Sequence, residues 1–229
     1  MATAGYVIPA PVQATVPVRG GGSFPVRRIF CVGRNYAAHA REMGHDPDRE
    51  LPFFFMKPAD ALVTGGGDMP YPTMTADLHH EMELVAALHS GGTDITEADA
   101  LSHVWGYAAG LDMTRRDLQG EAKKAGRPWD MGKGFDHSAP IGDLVPAAGV
   151  NPALGQIELR VNGAVRQSSN LSKLIWSVPE TIAYLSRLVR LESGDLIFTG
   201  TPEGVAATVR GDVLEGTVEG VGTVRTRIV

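Results

Sequence analysis

DLHHEMELVAAL, residues 77–88, sets two carboxylates, Glu81 and Glu83, two positions apart inside an otherwise apolar run. On a helix, side chains two apart point about 200° away from each other, whereas on a strand they alternate with period two. A strand therefore puts Glu81 and Glu83 on one face and Met82, Leu84 and Ala86 on the other. Like charges on one face repel and are costly to bury. Two outcomes satisfy that constraint: an exposed edge strand with its acids in water, or a site where a divalent cation neutralises them. Oxygen-only donors select magnesium, manganese or calcium over zinc. Such a site needs a third oxygen ligand, and Asp112 is the candidate, because the apolar run 107–111 ends there in a lone acid before a polar segment. Asp112 could equally cap a helix beginning near Met113.

The whole chain has 229 residues, 43% of them hydrophobic, enough for one large core. With 28 glycines and 15 prolines it favours strands and turns over a helical bundle. The net charge of -5 leaves no basic face for a phosphate backbone, so nucleic acid is not an expected partner. A single cysteine, Cys31, fits a reducing compartment. The N-terminus lacks the charge and apolar core of a secretory signal. No run approaches the roughly 20 apolar residues that span a bilayer. The expectation is a soluble cytoplasmic protein with no membrane partner.

Residues 1–24, with Pro9, Pro11, Pro17 and three consecutive glycines, read as an extended arm with one short strand near 14–18, ahead of a domain spanning 25–229. Arg27 to Val32 reads as a buried strand that turns at Gly33. Asn35 to Gly44 follows as a short helix stopped at Gly44, with His39 and Glu42 at i and i+3 on one face. A carboxylate that holds an imidazole in one tautomer makes a general base, although such pairs are also common on exposed helices. Asp46 to Pro52 is a polar loop, and PFFFM (52–56) reads as a buried strand. Thr96 to Val104 carries a helix start, 104–111 a strand, and 115–126 a polar helix. Lys133 stands between Gly132 and Gly134 in an expected loop, on backbone able to approach a ligand closely. Asn162-Gly163 joins the clearest hairpin, 157–161 with 164–167. Residues 178–191 are an amphipathic helix starting at Pro179. Leu196 to Phe198 is a strand opening into the loop 199–204, TGTPEG, whose hydroxyls and N–H groups suit an anion such as a carboxylate. Residues 213–228 close the fold as strands.

Taken together, RIFCVGRNYAAHAREMG, FFFMKPADAL, LHHEMELV, GYAAGLDMTRRDLQ, LRVNGAVRQ and GDLIFTGTPEGV resemble, in order, the fumarylacetoacetate hydrolase superfamily, and within it the small acylpyruvases. DPDRE and PFFFMKPADAL are most similar to the bacterial fumarylpyruvate hydrolases of that group. The resemblance implies an α+β fold, mostly β: a mixed β-sandwich or roll with peripheral helices. It implies Mg2+ or Mn2+ on Glu81, Glu83 and Asp112, and a catalytic dyad of His39 and Glu42. Lys133 is implied as a further catalytic residue, Arg116, Gln119 and Thr199 as substrate contacts, and a homodimer as the assembly.

The implied chemistry is metal-dependent hydrolysis of a 2,4-diketo acid, fumarylpyruvate giving fumarate and pyruvate. His39 would activate water, Lys133 would support the oxyanion, and the 35–52 region would close as a lid. Decarboxylation of oxaloacetate through the same pyruvate enolate is the alternative. A non-catalytic β module holding a structural cation is the reading from outside enzymology.

Overall fold

The computed structural model describes residues 5–42 and 50–229. The helix stop expected at Gly44 and most of the polar loop (46–49) lie outside them.

The carboxylate strand runs Met82–Leu88, and all of its residues are buried. It lies inside a six-stranded sheet in the order Val145–Pro146, Val104–Leu111, Met82–Leu88, Asp195–Phe198, Arg28–Gly33, Phe53–Lys57. The exposed-edge alternative is thereby excluded. Asp195–Phe198 pairs in parallel with Arg28–Gly33, and the other pairings are antiparallel.

Both faces of this sheet are covered. Met82, Leu84 and Ala86 enter a core shared with Ile157, Leu159, Leu214 and Val224. Those four come from an antiparallel sheet ordered Ala164–Asn170, Gln156–Val161, Val213–Val218, Gly222–Arg227. Val85 and Ala87 face a second core with Ile29, Cys31, Ala108 and Phe198. A strand packed on both sides has no polar face to alternate with, and so its sequence reads as an apolar run. The architecture is the expected mixed α+β fold, with helices at the periphery.

Local signals hold where chemistry forces them. Asn162 (φ 52°) and Gly163 (φ 80°) supply the two left-handed residues of a tight hairpin turn. Ser177 and Glu180 form a reciprocal capping box at the start of helix Val178–Leu188, with Pro179 in its first turn. The N-terminal strand Thr15–Pro17 pairs with Ser23–Pro25, and its Val16 and Phe24 are buried in the second core. Among the described residues no helix is long and apolar enough to cross a membrane.

Three expectations are corrected. The PFFFM strand is the sheet's last, with one neighbour; Phe53, Phe54 and Phe55 are only half-buried and Met56 is 44% exposed. Lys133 does not stand in an open loop but ends the helical turn Asp130–Lys133, and it is buried. Asp112 caps no helix: a two-residue strand, Thr114–Arg115, intervenes, and the next helix, Arg116–Lys124, starts after Arg115.

Candidate active site

Strand register brings the three acids together. In the antiparallel pair, Met82 lies opposite Leu111 and Glu83 opposite Gly110. One step further, Asp112 falls opposite Glu81, and its N–H donates to the Glu81 carbonyl at 2.8 Å. At Gly110 a Cβ would meet Val85 at 2.7 Å and Phe198 at 2.8 Å, so this register position takes no side chain. One carboxylate oxygen from each of Glu81, Glu83 and Asp112 lies within 4.8 Å of the others, and all three residues are buried. Oxygens sharing a cation at 2.0–2.2 Å stand about 3–4 Å apart. The donor set and spacing therefore fit a hard divalent cation.

Three cations face these acids. Lys133 Nζ donates to Glu81 Oε2 at 2.7 Å and to Asp112 Oδ2 at 2.6 Å. Arg116 donates to the other Glu81 oxygen and, at 2.7 Å, to Gln119 Oε1. Lys57, also buried, lies 2.8 Å from Asp112 Oδ1 while its hydrogen bonds go to the carbonyls of Met113 and Lys133. The balance is uneven along the row. Burial would raise Glu81, but Lys133 and Arg116 hold its carboxyl well below the usual carboxylate range. Glu83 goes the other way: burial first, then the charges of Asp112 and Glu81, push it well up, with only the Gly200 N–H (2.7 Å) and Lys133 in opposition. Glu83 is thus the carboxyl whose charged form the protein compensates least, and a cation is what would favour that form.

His39 and Glu42 lie on helix Ala37–Glu42, with His39 Nδ1 3.4 Å from Glu42 Oε2. The Glu42 carboxylate also accepts the Gly204 N–H, at 3.2 Å to the same oxygen. So the loop expected to bind an anion holds two of the protein's own carboxylates, Glu83 through Gly200 and Glu42 through Gly204. Thr199 donates its hydroxyl to the Leu84 carbonyl at 2.9 Å. Thr201, two residues on, lines the cavity instead.

That cavity is lined by His39, Glu81, Glu83, Arg116, Gln119 and Lys133, among others. It thus collects His39, two of the metal-ligand candidates, Lys133 and both helix-borne substrate candidates. Sequence reasoning missed three supports. Lys57 had a readable signal, since period two in FFFMK puts it on the face of Phe53 and Phe55. Gln167 donates to Thr201 Oγ1 and the Pro202 carbonyl, both at 2.8 Å, and accepts from the Met82 N–H, tying the 199–204 loop to the carboxylate strand. Asn35 donates to the carbonyls of Trp176 (2.8 Å) and Thr199 (2.7 Å). Neither amide stands out in the sequence, because each acts on main chain 35 to 164 residues away.

Residues 28–229 match the fumarylacetoacetate (FAA) hydrolase C-terminal domain, and the chain belongs to the fumarylacetoacetate hydrolase family. Within it, a fumarylpyruvate hydrolase from a Ralstonia species is 48% identical over 184 residues, 80% of this chain and 96% of the relative. The crystal structure of fumarylpyruvate hydrolase from Pseudomonas aeruginosa, in complex with Mn2+ and pyruvate, superposes with a TM-score of 0.95. It is 52% identical, covering 98% of this chain and 99% of that one. A mitochondrial oxaloacetate tautomerase of Rattus norvegicus is 42% identical over 203 residues, 88% of this chain and 91% of its own.

Proposed function

We propose that the chain is a hydrolase that cleaves the carbon–carbon bond of acylpyruvates, with fumarylpyruvate the favoured member, using Mg2+ or Mn2+ held by Glu81, Glu83 and Asp112. The observation that carries this reading is the convergence of three buried carboxylates, two of which line one cavity together with His39, the partner of Glu42. The manganese and pyruvate in the Pseudomonas relative support it.

When bound, the cation supplies Lewis acidity for the charge left on the departing pyruvate fragment. Glu42 holds His39 through Nδ1, leaving Nε2 as the nitrogen that takes a proton from water. The water oxygen bonds to C4, the C3–C4 bond breaks, and the electron pair stays with the three-carbon fragment, which becomes pyruvate on protonation at C3. Lys133 has three ammonium donors and commits two to Glu81 and Asp112, so one remains for an oxyanion. Arg116 and Gln119, linked to each other and to Glu81, orient the substrate.

The test is purified protein with manganese, offered fumarylpyruvate, acetylpyruvate and oxaloacetate, with loss of enol absorbance followed and products identified. Glu81→Ala and Asp112→Ala are expected to lose turnover together with calorimetric metal binding. His39→Ala is expected to keep metal binding and lose hydrolysis by two to four orders of magnitude. Undiminished hydrolysis in excess chelator defeats the reading. A mitochondrial oxaloacetate decarboxylase of Dictyostelium discoideum, 42% identical over 200 residues, favours a second reading, oxaloacetate decarboxylation, which needs no water and is expected to survive His39→Ala.

A further inference from the structure

The acyl group is the part of the substrate that the triad and dyad do not read, and the cavity carries two cations that neither group uses. Helix Arg116–Lys124 presents Arg116, Gln119 and Lys123 at i, i+3 and i+7, and all three line the cavity. Arg116 is bound to Glu81 at the buried end. Lys123, half-buried, stands seven residues along, about 10 Å up the helix axis. Among the described residues no carboxylate reaches ion-pair distance of Lys123; its ammonium lies over the Trp129 ring, 5.9 Å from the centroid.

Arg34 lines the same cavity. Its guanidinium sits over the Phe53 ring at 5.3 Å, and its ion-pair partner is Glu50 at 3.9 Å, a side chain 73% exposed. Arg34 also has φ +56°, a left-handed backbone that non-glycine residues adopt only at a cost and that clusters at functional sites. The two cations are close enough to feel each other: burial first, then Arg34 and Arg116, holds the Lys123 ammonium below its ordinary value. Like charges kept together, half out of water and short of counterions, are what an anionic ligand relieves.

We propose that Arg34 and Lys123 form a second anion pole of the cavity, which takes the terminal carboxylate of the acyl group, so that the substrates are dicarboxylic acylpyruvates. The inference rests on the acylpyruvate reading above and names the acyl group within it. Length supports it: an extended seven-carbon chain advances about 1.2 Å per bond, like extended backbone, and so spans about 7 Å between terminal carbons. With a carboxylate oxygen and a hydrogen bond added at the far end, that matches the rise from Arg116 to Lys123. A four-carbon keto diacid held at the triad is too short to reach.

The experiment compares kcat/KM for fumarylpyruvate and acetylpyruvate in the manganese-loaded wild type, Lys123→Met, Lys123→Arg and Arg34→Gly. Glycine suits φ +56°, so Arg34→Gly removes the charge without endangering the fold. The fumarylpyruvate-to-acetylpyruvate ratio is expected to fall tenfold or more in Lys123→Met and Arg34→Gly and to recover in Lys123→Arg. In the unmodified enzyme, kcat/KM for the dicarboxylate is expected to fall more steeply with added salt than for the monocarboxylate. A ratio within twofold of wild type in both charge-removing variants, or equal salt slopes, overturns the proposal. A wild type that hydrolyses neither compound refutes the acylpyruvate reading itself.

Discussion

Glu83 is the residue on which the site's electrostatics turn. Its carboxyl is raised by burial and by two neighbouring acids, so its folded pKa lies above its unfolded one. A group shifted that way contributes stability below its unfolded pKa and loses it as pH rises through the folded value. Metal-free protein is therefore expected to lose stability through Glu83 as pH climbs above the ordinary carboxylate range. Glu83→Gln removes that loss. In chelator, melting curves from pH 5 to 8 should find the variant gaining on wild type as pH rises. Manganese should then raise the wild-type Tm by several degrees and leave Glu83→Gln nearly unmoved. A variant less stable than wild type at pH 8 in chelator would mean that Glu83 carries no such burden. Lys57 illustrates a different point at this scale: period two groups it with Phe53 and Phe55, but only the fold shows it buried against Asp112.

Among the elements, the 199–204 loop couples metal triad to dyad. Its Gly200 N–H holds Glu83 and its Gly204 N–H holds Glu42. Gly204 has φ +91°, and a Cβ there would meet the Arg166 carbonyl oxygen at 2.1 Å, so backbone on both sides forbids a side chain. Gly204→Ala is expected to displace the loop from Glu42, free His39 to turn, and lower kcat tenfold or more while leaving manganese affinity within a fewfold of wild type. Steady-state kinetics beside calorimetry separates those outcomes; an unchanged kcat would show that Glu42 does not depend on the loop. The loop's composition was readable as anion-binding. That its first anions are the protein's own carboxylates was not, because Glu42 lies 162 residues from Gly204.

For the whole molecule, the question is where the folded unit begins. The family match starts at residue 28, and a Pro- and Gly-rich start reads as a dispensable arm. Yet Val16 and Phe24 are buried in the core beneath the central sheet, beside Ile29, Leu144 and Trp105. Burying two such side chains contributes roughly 3–6 kcal/mol. We expect a chain starting at Pro25, which lacks Val16 and Phe24, to lose about that much in urea unfolding, whereas one starting at Gln13 should keep nearly full stability. Equal midpoints for both truncations would return the arm to a mere extension.

The sequence by itself determined the elements, the acids and the family. Period-two spacing set Glu83 on a strand with Glu81 immediately before its start, Asn162-Gly163 made the hairpin, Ser177 and Glu180 capped the helix, and the ordered motifs named the fold. These are local rules, in which a few neighbouring residues decide the outcome. Only the tertiary structure decided that Asp112 falls opposite Glu81, that Lys57 and Lys133 neutralise that pair, that Gln167 and Asn35 anchor the loop, and that Arg34 and Lys123 line one cavity. Those facts come from strand register and side-chain packing between segments far apart in the chain, which no local pattern encodes.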